Sequence, residues 1–304
     1  MIDFRRAKFA AIPRIQGIVA VMPKGVLAAL ILLLAGTAGD AGAGEKVTFP
    51  GAKAEGYAHV ETVSAELRMP KDAKGKVPAV IILHGSGGID GRGLFYAEAL
   101  NEAGFATLEV FMFARGQRPR QGGRATMTHG FGALKYLAGR PDVDSGKISA
   151  MGFSFGANLT FRLAVKDAND AFLPNAAGPR FAAHASFYPS CWVFKGAGGN
   201  AAFTGAPVLL FSGGRDDYET SPDSCKELID ALPESTRRHM ALQFYPDATH
   251  AWDTRRSEPF SINDPYAFGG RGGSVRIKPD PVIAEDSRRR VVEFFVRVLT
   301  LARN

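Results

Sequence analysis

From residue 44 onward, short apolar runs rich in β-branched residues alternate with stretches of helical periodicity. The pattern predicts strands over 58–69 (with an interruption), 79–83, 106–111, 148–153, 181–188, 207–212 and 240–245. Two runs, Val80-Ile81-Ile82-Leu83 and Val208-Leu209-Leu210-Phe211, are apolar without alternation, as in strands covered on both faces. Helices are predicted between the strands, over 93–103, 126–138, 155–166, 222–232 and 282–301. In the last, Val291, Phe295, Val298 and Leu299 share one face, and Pro281 suits a first-turn position. The alternation predicts one α/β domain over 44–304, a mostly parallel twisted sheet of seven or eight strands with helices on both faces. Segments 113–124, 190–206 and 251–280, rich in Gly, Arg or aromatic residues, take no assignment. Ligands in such a fold bind beyond the carboxyl ends of the strands, so these loops are candidate site segments. The stretch before Pro207 is too short for a large cap domain. The roof of the site is expected from loops such as 251–280, whose Trp252, Phe260, Tyr266 and Phe268 can form a substrate wall or pack the loop onto the domain.

Ahead of the domain, residues 25–35 form an apolar run, shorter than the about 20 residues that a membrane span needs. Lys24 precedes the run and Ala41-Gly42-Ala43 fits a cleavage box, so 1–43 reads as a signal peptide. The stretch before Lys24 is long for such a segment, and Met22 is an alternative start. The competing reading is an uncleaved anchor. Export predicts a periplasmic or secreted protein with no stable membrane span after cleavage. In that setting Cys191 and Cys225 can pair, the alternative being two separate buried thiols.

Composition narrows the functional classes. The chain has 304 residues, 46% hydrophobic and 22% charged, which excludes a disordered protein. The formal charge of +7 is scattered, with no run of five basic residues, and nucleic-acid binding is not expected. His59, His129, His184 and His239 show no metal-ligand spacing. Neither a GxxxxGK[ST] nor a GxGxxG motif is present, and no cofactor is predicted.

The strongest chemical signal is Gly152-Phe153-Ser154-Phe155-Gly156, placed between a strand pattern and a helix pattern. This is the setting of a nucleophile elbow, in which flanking glycines relieve a strained turn and project the serine hydroxyl over the sheet edge. A serine needs a base. His250, after the last predicted strand, is the candidate, and Asp216 is the candidate acid that orients it, with Asp217 as its rival. The order Ser, Asp, His is that of α/β-hydrolases. His84-Gly85-Ser86-Gly87-Gly88 follows an apolar strand and matches a loop that supplies one oxyanion-hole N–H. Ser86 or Gly87 is the candidate donor there, and the Phe155 N–H is the other.

Together these residues resemble the dienelactone hydrolase family of α/β-hydrolases over most of 77–301. The resemblance rests on the His84-Gly85 loop, on Leu137, Val143-Asp144 and Lys147-Ile148 leading to the Ser154 motif, and on Gly213 with Asp216-Asp217. Tyr245, His250-Ala251-Trp252-Asp253 and the helix at Val291-Val292-Glu293-Phe294-Phe295 complete it. The family's founding enzymes use a cysteine nucleophile. The serine here points instead to a general esterase acting on carboxylic esters or lactones. Exported relatives carry a Cys after a Tyr-Pro and another after the acid, matching Tyr188-Pro189-Ser190-Cys191 and Cys225, which implies a disulfide. The family's carboxylate-binding arginines are not matched residue by residue; Arg115, Arg118, Arg120 and Arg124 lie in a suitable loop, and Arg115 and Trp252 are the substrate-binding candidates. Other readings are a non-catalytic binding module, or an acyltransferase or peptidase on the same machinery.

Overall fold

The computed structural model describes residues 44–119, 122–195 and 202–301. The expected signal segment 1–43 and Arg120 lie outside the described residues. Eight strands form one sheet: β1 (Glu45–Phe49), β2 (Val63–Arg68), β3 (Val77–Leu83), β4 (Ala106–Phe111), β5 (Val143–Phe153), β6 (Phe181–Phe187), β7 (Val208–Arg215) and β8 (Met240–Thr249). Their spatial order is β1-β2-β4-β3-β5-β6-β7-β8. β1 and β2 are antiparallel to their neighbours, and β3 to β8 run parallel. A separate hairpin, β9 (Phe260–Asp264) with β10 (Gly273–Ile277), lies inside the segment 251–280.

The principal helices are α1 (Arg92–Glu102), α2 (Met127–Ala138), α3 (Phe155–Leu163), α4 (Lys166–Phe172), α5 (Trp192–Lys195) and α6 (Ser224–Asp230). The short turns α7 (Glu234–Arg237) and α8 (Ala267–Gly270) precede the long α9 (Pro281–Leu301). Alternate residues of the central strands feed two cores. Ile81, Leu108 and Ala150 pack with α2 and α3 on one face, while Val80, Ile82, Met151 and Phe187 pack with α1 and α9 on the other. The two apolar runs are buried on both faces, as their lack of alternation predicts. No cap domain is present among the described residues.

The expected single helix 155–166 is two helices. Val165 adopts an extended conformation and bridges to Phe203, which ends α3 and starts α4. The strand expected over 58–69 is β2 alone, preceded by irregular chain, and β1, β9 and β10 are additional to the predicted set.

Strand order decides where a site can form. β3 is flanked by β4 on one side and β5 on the other, so the loops leaving β3 and β5 turn to opposite faces and open a crevice at the sheet's carboxyl edge. His84–Gly88 and Ser154 occupy these two adjacent strand ends.

Candidate active site

Ser154 stands between the end of β5 and the start of α3 with φ 53 and ψ −110, a left-handed conformation that non-glycine residues rarely adopt. Its N–H donates to Phe187 O at 3.0 Å and its carbonyl accepts from Asn158 at 3.0 Å, so both ends of the strained turn are held. Gly156 permits the turn to sit this close to β3, because a Cβ there would come within 2.1 Å of Leu83 O. This is the role that the Gly-x-Ser-x-Gly spacing predicts for the flanking glycines.

His250 follows β8 and is 3% exposed. Its Nε2 lies 2.8 Å from Ser154 Oγ, and its Nδ1 lies 2.8 Å from Asp216 Oδ2. A carboxylate only accepts, so Nδ1 carries the proton and Nε2 is free to accept from the serine hydroxyl. Asp216 Oδ1 accepts the Tyr218 N–H at 2.9 Å, which fixes the carboxylate plane. Gly213 permits this meeting: a Cβ there would lie 2.4 Å from Ala248 O, on the strand that delivers His250. Asp217 faces elsewhere and accepts the Arg276 N–H at 2.8 Å, tethering β10. The imidazole packs against the rings of Tyr188 and Tyr218, with centroids 4.8 and 4.3 Å away.

The His84 loop reaches the serine. A Cβ on Gly85 would lie 3.7 Å from Ser154 Cβ, and Gly88 N–H closes a turn onto Gly85 O. His84 ties this loop to the end of β4: Nδ1 donates to Gly85 O at 2.8 Å and Nε2 accepts the Met112 N–H at 3.0 Å. Burial pushes its pKa down, favouring the neutral ring that this pattern requires. Ser86 and Gly87 line the cleft beside Ser154, with Gly87 the more exposed. Phe155 is the first residue of α3, so its N–H lies outside the helix's own ladder and next to the serine.

Behind His250 is a buried polar cluster that the sequence did not announce. Tyr188 donates to Asp253 at 2.7 Å and accepts from Arg92 at 2.8 Å, and Tyr96 donates to the other Asp253 oxygen at 2.9 Å. Asp90 takes the rest of the Arg92 guanidinium. Asp253 is fully buried; burial pushes its carboxyl up, while Arg92 and the two tyrosine hydroxyls pull the other way. Tyr188, whose ring packs on His250, and Ala251, which follows His250 in the chain, both carry positive φ. Asp253 and Tyr188 stand in local motifs, whereas Arg92 has no local signal; the fold brings the three together from distant segments.

Trp252 is not a substrate wall. It is 1% exposed, packs its ring on Tyr188 and Tyr245, and donates its N–H to Ser287. The positive φ at Ala251 turns it inward while His250 faces the cleft. Phe260 and Tyr266, from the same segment, do line the cleft, and Arg115 lines it on the Ser86 side. The β9–β10 hairpin is clamped over the site by Asp264, which accepts from Arg118 at 2.8 Å and from Tyr218 at 2.9 Å. Arg118 thus serves the roof.

Cys191 and Cys225 form a disulfide. With Glu219 they make the one cluster of metal-ligating side chains among the described residues, but both sulfurs are bonded to each other. No helix among the described residues is long and apolar enough to cross a membrane.

The fold is shared with several solved hydrolases. A dienelactone hydrolase-like promiscuous phosphotriesterase from metagenomic libraries superposes with a TM-score of 0.59 at 19% identity, covering 84% of this chain and 99% of the other. Esterase 2 of Thermogutta terrifontis, phosphorylated by paraoxon, gives 0.57 at 15% identity, covering 85% and 95%. The esterase of Pyrobaculum calidifontis gives 0.52 at 18% identity, covering 85% and 86%. No curated protein matches the chain significantly. The family model for the dienelactone hydrolase family matches residues 63–299, from β2 into α9 and across every segment of the site, and the chain belongs to that family.

Proposed function

We propose that the protein is a serine hydrolase that cleaves carboxylic esters or lactones through an acyl-enzyme at Ser154. Membership of the dienelactone hydrolase family makes it a hydrolase acting on esters. The observation that carries the finer reading is the unbroken relay from Asp216 through His250 to Ser154, each link 2.8 Å, ending on a residue with positive φ beside a helix start. In this reading Ser154 Oγ attacks the carbonyl carbon as His250 takes its proton, and Asp216 stabilises the resulting imidazolium. The Phe155 N–H and an N–H of the Ser86-Gly87 turn hold the tetrahedral oxyanion, aided by the α3 dipole. His250 then protonates the leaving oxygen, and water repeats the sequence to release the acid.

The test is Ser154→Ala with 4-nitrophenyl acetate and a labelled fluorophosphonate. Turnover is expected to fall by several powers of ten and labelling to vanish, as befits a nucleophile. A variant that hydrolyses at the parent rate refutes the assignment. A parent protein that neither hydrolyses nor labels favours the binding-module reading, while transfer to added alcohols or amines favours an acyltransferase. Paraoxon phosphorylates the Thermogutta esterase; here the same reagent is expected to modify Ser154.

The same reading takes residues 1–43 as an export signal and the domain as 44–304, periplasmic or secreted. The Cys191–Cys225 disulfide supports it, since such bonds persist in oxidising compartments. Amino-terminal sequencing of the secreted product tests it; an intact first segment in the cytosol overturns it.

A further inference from the structure

The loop beside the serine, the turn that carries the serine and the seat of the histidine converge on one guanidinium. Arg92 opens α1 and is 6% exposed. Its Nε and Nη2 grip the Asp90 carboxylate at 2.9 and 2.6 Å, which anchors the far end of the His84–Asp90 loop. The same group lies against the near end, where a Cβ on Gly85 would come within 3.1 Å of Nη2. It sits 5.5 Å from the centroid of the Phe153 ring, on the residue that enters the Ser154 turn. Its Nη1 donates to Tyr188 Oη at 2.8 Å, and the Tyr188 ring packs on His250.

The direction of this chain is fixed. A guanidinium only donates, so Tyr188 Oη accepts there and turns its own proton to Asp253 Oδ1 at 2.7 Å. The Arg92 cation thus stands between two carboxylates, Asp90 at the end of the loop and Asp253 three residues past His250. Buried ion pairs add little net stability, so the use of this one is sought in geometry. The loop needs an outside hold. Glycines at 85, 87, 88 and 91 leave its backbone many shapes, and the planar two-point grip on Asp90 restricts them. On the other side Tyr188 keeps a positive φ, which persists only where the surroundings over-determine it.

We propose that Arg92 is a positioning residue for the hydrolysis: through Asp90 it sets the oxyanion loop, through Tyr188 it sets the His250 ring, and it holds the two in one alignment. The inference rests on the reading of Ser154 as nucleophile and of the Ser86-Gly87 turn as an oxyanion donor. Arg92 takes no proton and forms no bond in the reaction. It keeps the oxyanion donor and the base in place while the tetrahedral centre forms, where a displacement of about 1 Å costs roughly a hundredfold in rate.

The experiment is a double-mutant cycle on the two partners of Arg92. Tyr188→Phe keeps the ring on His250 and removes the hydroxyl, and Asp90→Asn keeps the shape and weakens the grip. Hydrolysis of 4-nitrophenyl acetate is measured well below the melting temperature of each variant. Each change is expected to lower kcat about tenfold with KM within about twofold of the parent. The double variant is expected to lose little more than either single one. Losses that multiply overturn the proposal, as does a kcat that both variants keep or a loss carried by KM. Arg92→Lys keeps the charge without the fork and is expected to lose kcat as well; full activity there overturns the positioning role. The proton on His250 Nδ1, bonded to Asp216, gives a readout without turnover in one-dimensional proton NMR. Its resonance is expected to shift in Asp90→Asn, and that shift to vanish when Asp90→Asn is made in Tyr188→Phe. A shift of equal size in both backgrounds is a direct charge effect and overturns the proposal, as does no shift at all. Hydrolysis that survives Ser154→Ala, with the resonance still moved by Asp90→Asn through Tyr188, overturns only the nucleophile reading.

Discussion

Ser154 Oγ and His250 Nε2 lie 2.8 Å apart although 96 residues separate them in the chain. Nothing local to either residue produces that distance. Ser154 is aimed by the β5–α3 turn, and His250 by the end of β8, four strands from β3 along the sheet. The parallel order of β5, β6, β7 and β8 puts all their carboxyl ends on one edge, which turns four distant segments into neighbours. The tyrosines at 188 and 218 then fill the space on either side of the imidazole and leave it one orientation.

The two adjacent aspartates separate experimentally. Asp216→Asn keeps the shape but replaces the acceptor beside Nδ1 with a group that can donate, which favours the wrong tautomer of His250. Turnover of 4-nitrophenyl acetate is expected to drop by roughly ten-thousand-fold. Asp217→Asn weakens only the tether to the Arg276 N–H, at a cost of about 1 kcal/mol, visible as a lower Tm rather than in turnover. Equal losses of activity in the two variants would remove Asp216 from the relay.

Much of this site is legible in the sequence because its parts are punctuated locally. An apolar run buried on both faces, a glycine-flanked serine before a helical pattern, and an acid and a histidine each just beyond a strand are all signals of short range. What escapes is set by tertiary contacts. The helix break at Val165 depends on Phe203, nearly forty positions away, and five-residue β9 and β10 are strands only because they pair with each other. Trp252 looks like its aromatic neighbours Phe260 and Tyr266, yet the backbone at Ala251 sends it into the core. Arg92 carries no signal of its own until the fold makes it one hydrogen-bonded unit with Tyr188 and Asp253.

His184 should make the fold sensitive to acid. It is fully buried on β6 beside Phe181, neither ring nitrogen has a partner, and burial pushes its pKa down to about 3. In the unfolded chain a histidine titrates near 6.5. Below that pH the unfolded chain takes up a proton that the folded chain refuses, so stability falls by about 1.4 kcal/mol per pH unit. Two carboxyls act in the opposite sense. Burial lifts Glu109 to about 7, and burial with the nearby Asp216 charge lifts Glu219 to about 7, so the penalty of ionising them is relieved as pH falls from 7 toward 4.5. The net curve of the parent therefore blends several groups, and the informative quantity is a difference. The unfolding free energy from urea titrations at pH 7 and pH 4.5 is expected to drop less for His184→Leu than for the parent, by about 2–3 kcal/mol over that interval. Parallel curves would show that His184 is protonated in the folded protein.

Reduction of the disulfide should reach the site as well as the stability. Cys191 and Cys225 close a separation of 34 residues with Cα atoms 5.0 Å apart, and both are buried. Chain entropy assigns such a cross-link about 3–4 kcal/mol. Cys191 also precedes Trp192, and the Glu219 carboxylate accepts the N–H groups of both residues. That carboxylate is therefore the second hold on the turn that carries Trp192 into the wall of a recess beside Ser154. Cys225→Ser removes the first hold and leaves the second, so the protein is expected to fold with a Tm several degrees lower. Its KM for bulky 4-nitrophenyl esters is expected to rise more than for 4-nitrophenyl acetate, because Trp192 lines a recess beside Ser154 that a small substrate does not fill. An unchanged Tm would mean that the carboxylate alone holds the turn. A KM that rises equally for all esters would mean that the wall moves independently of the cross-link.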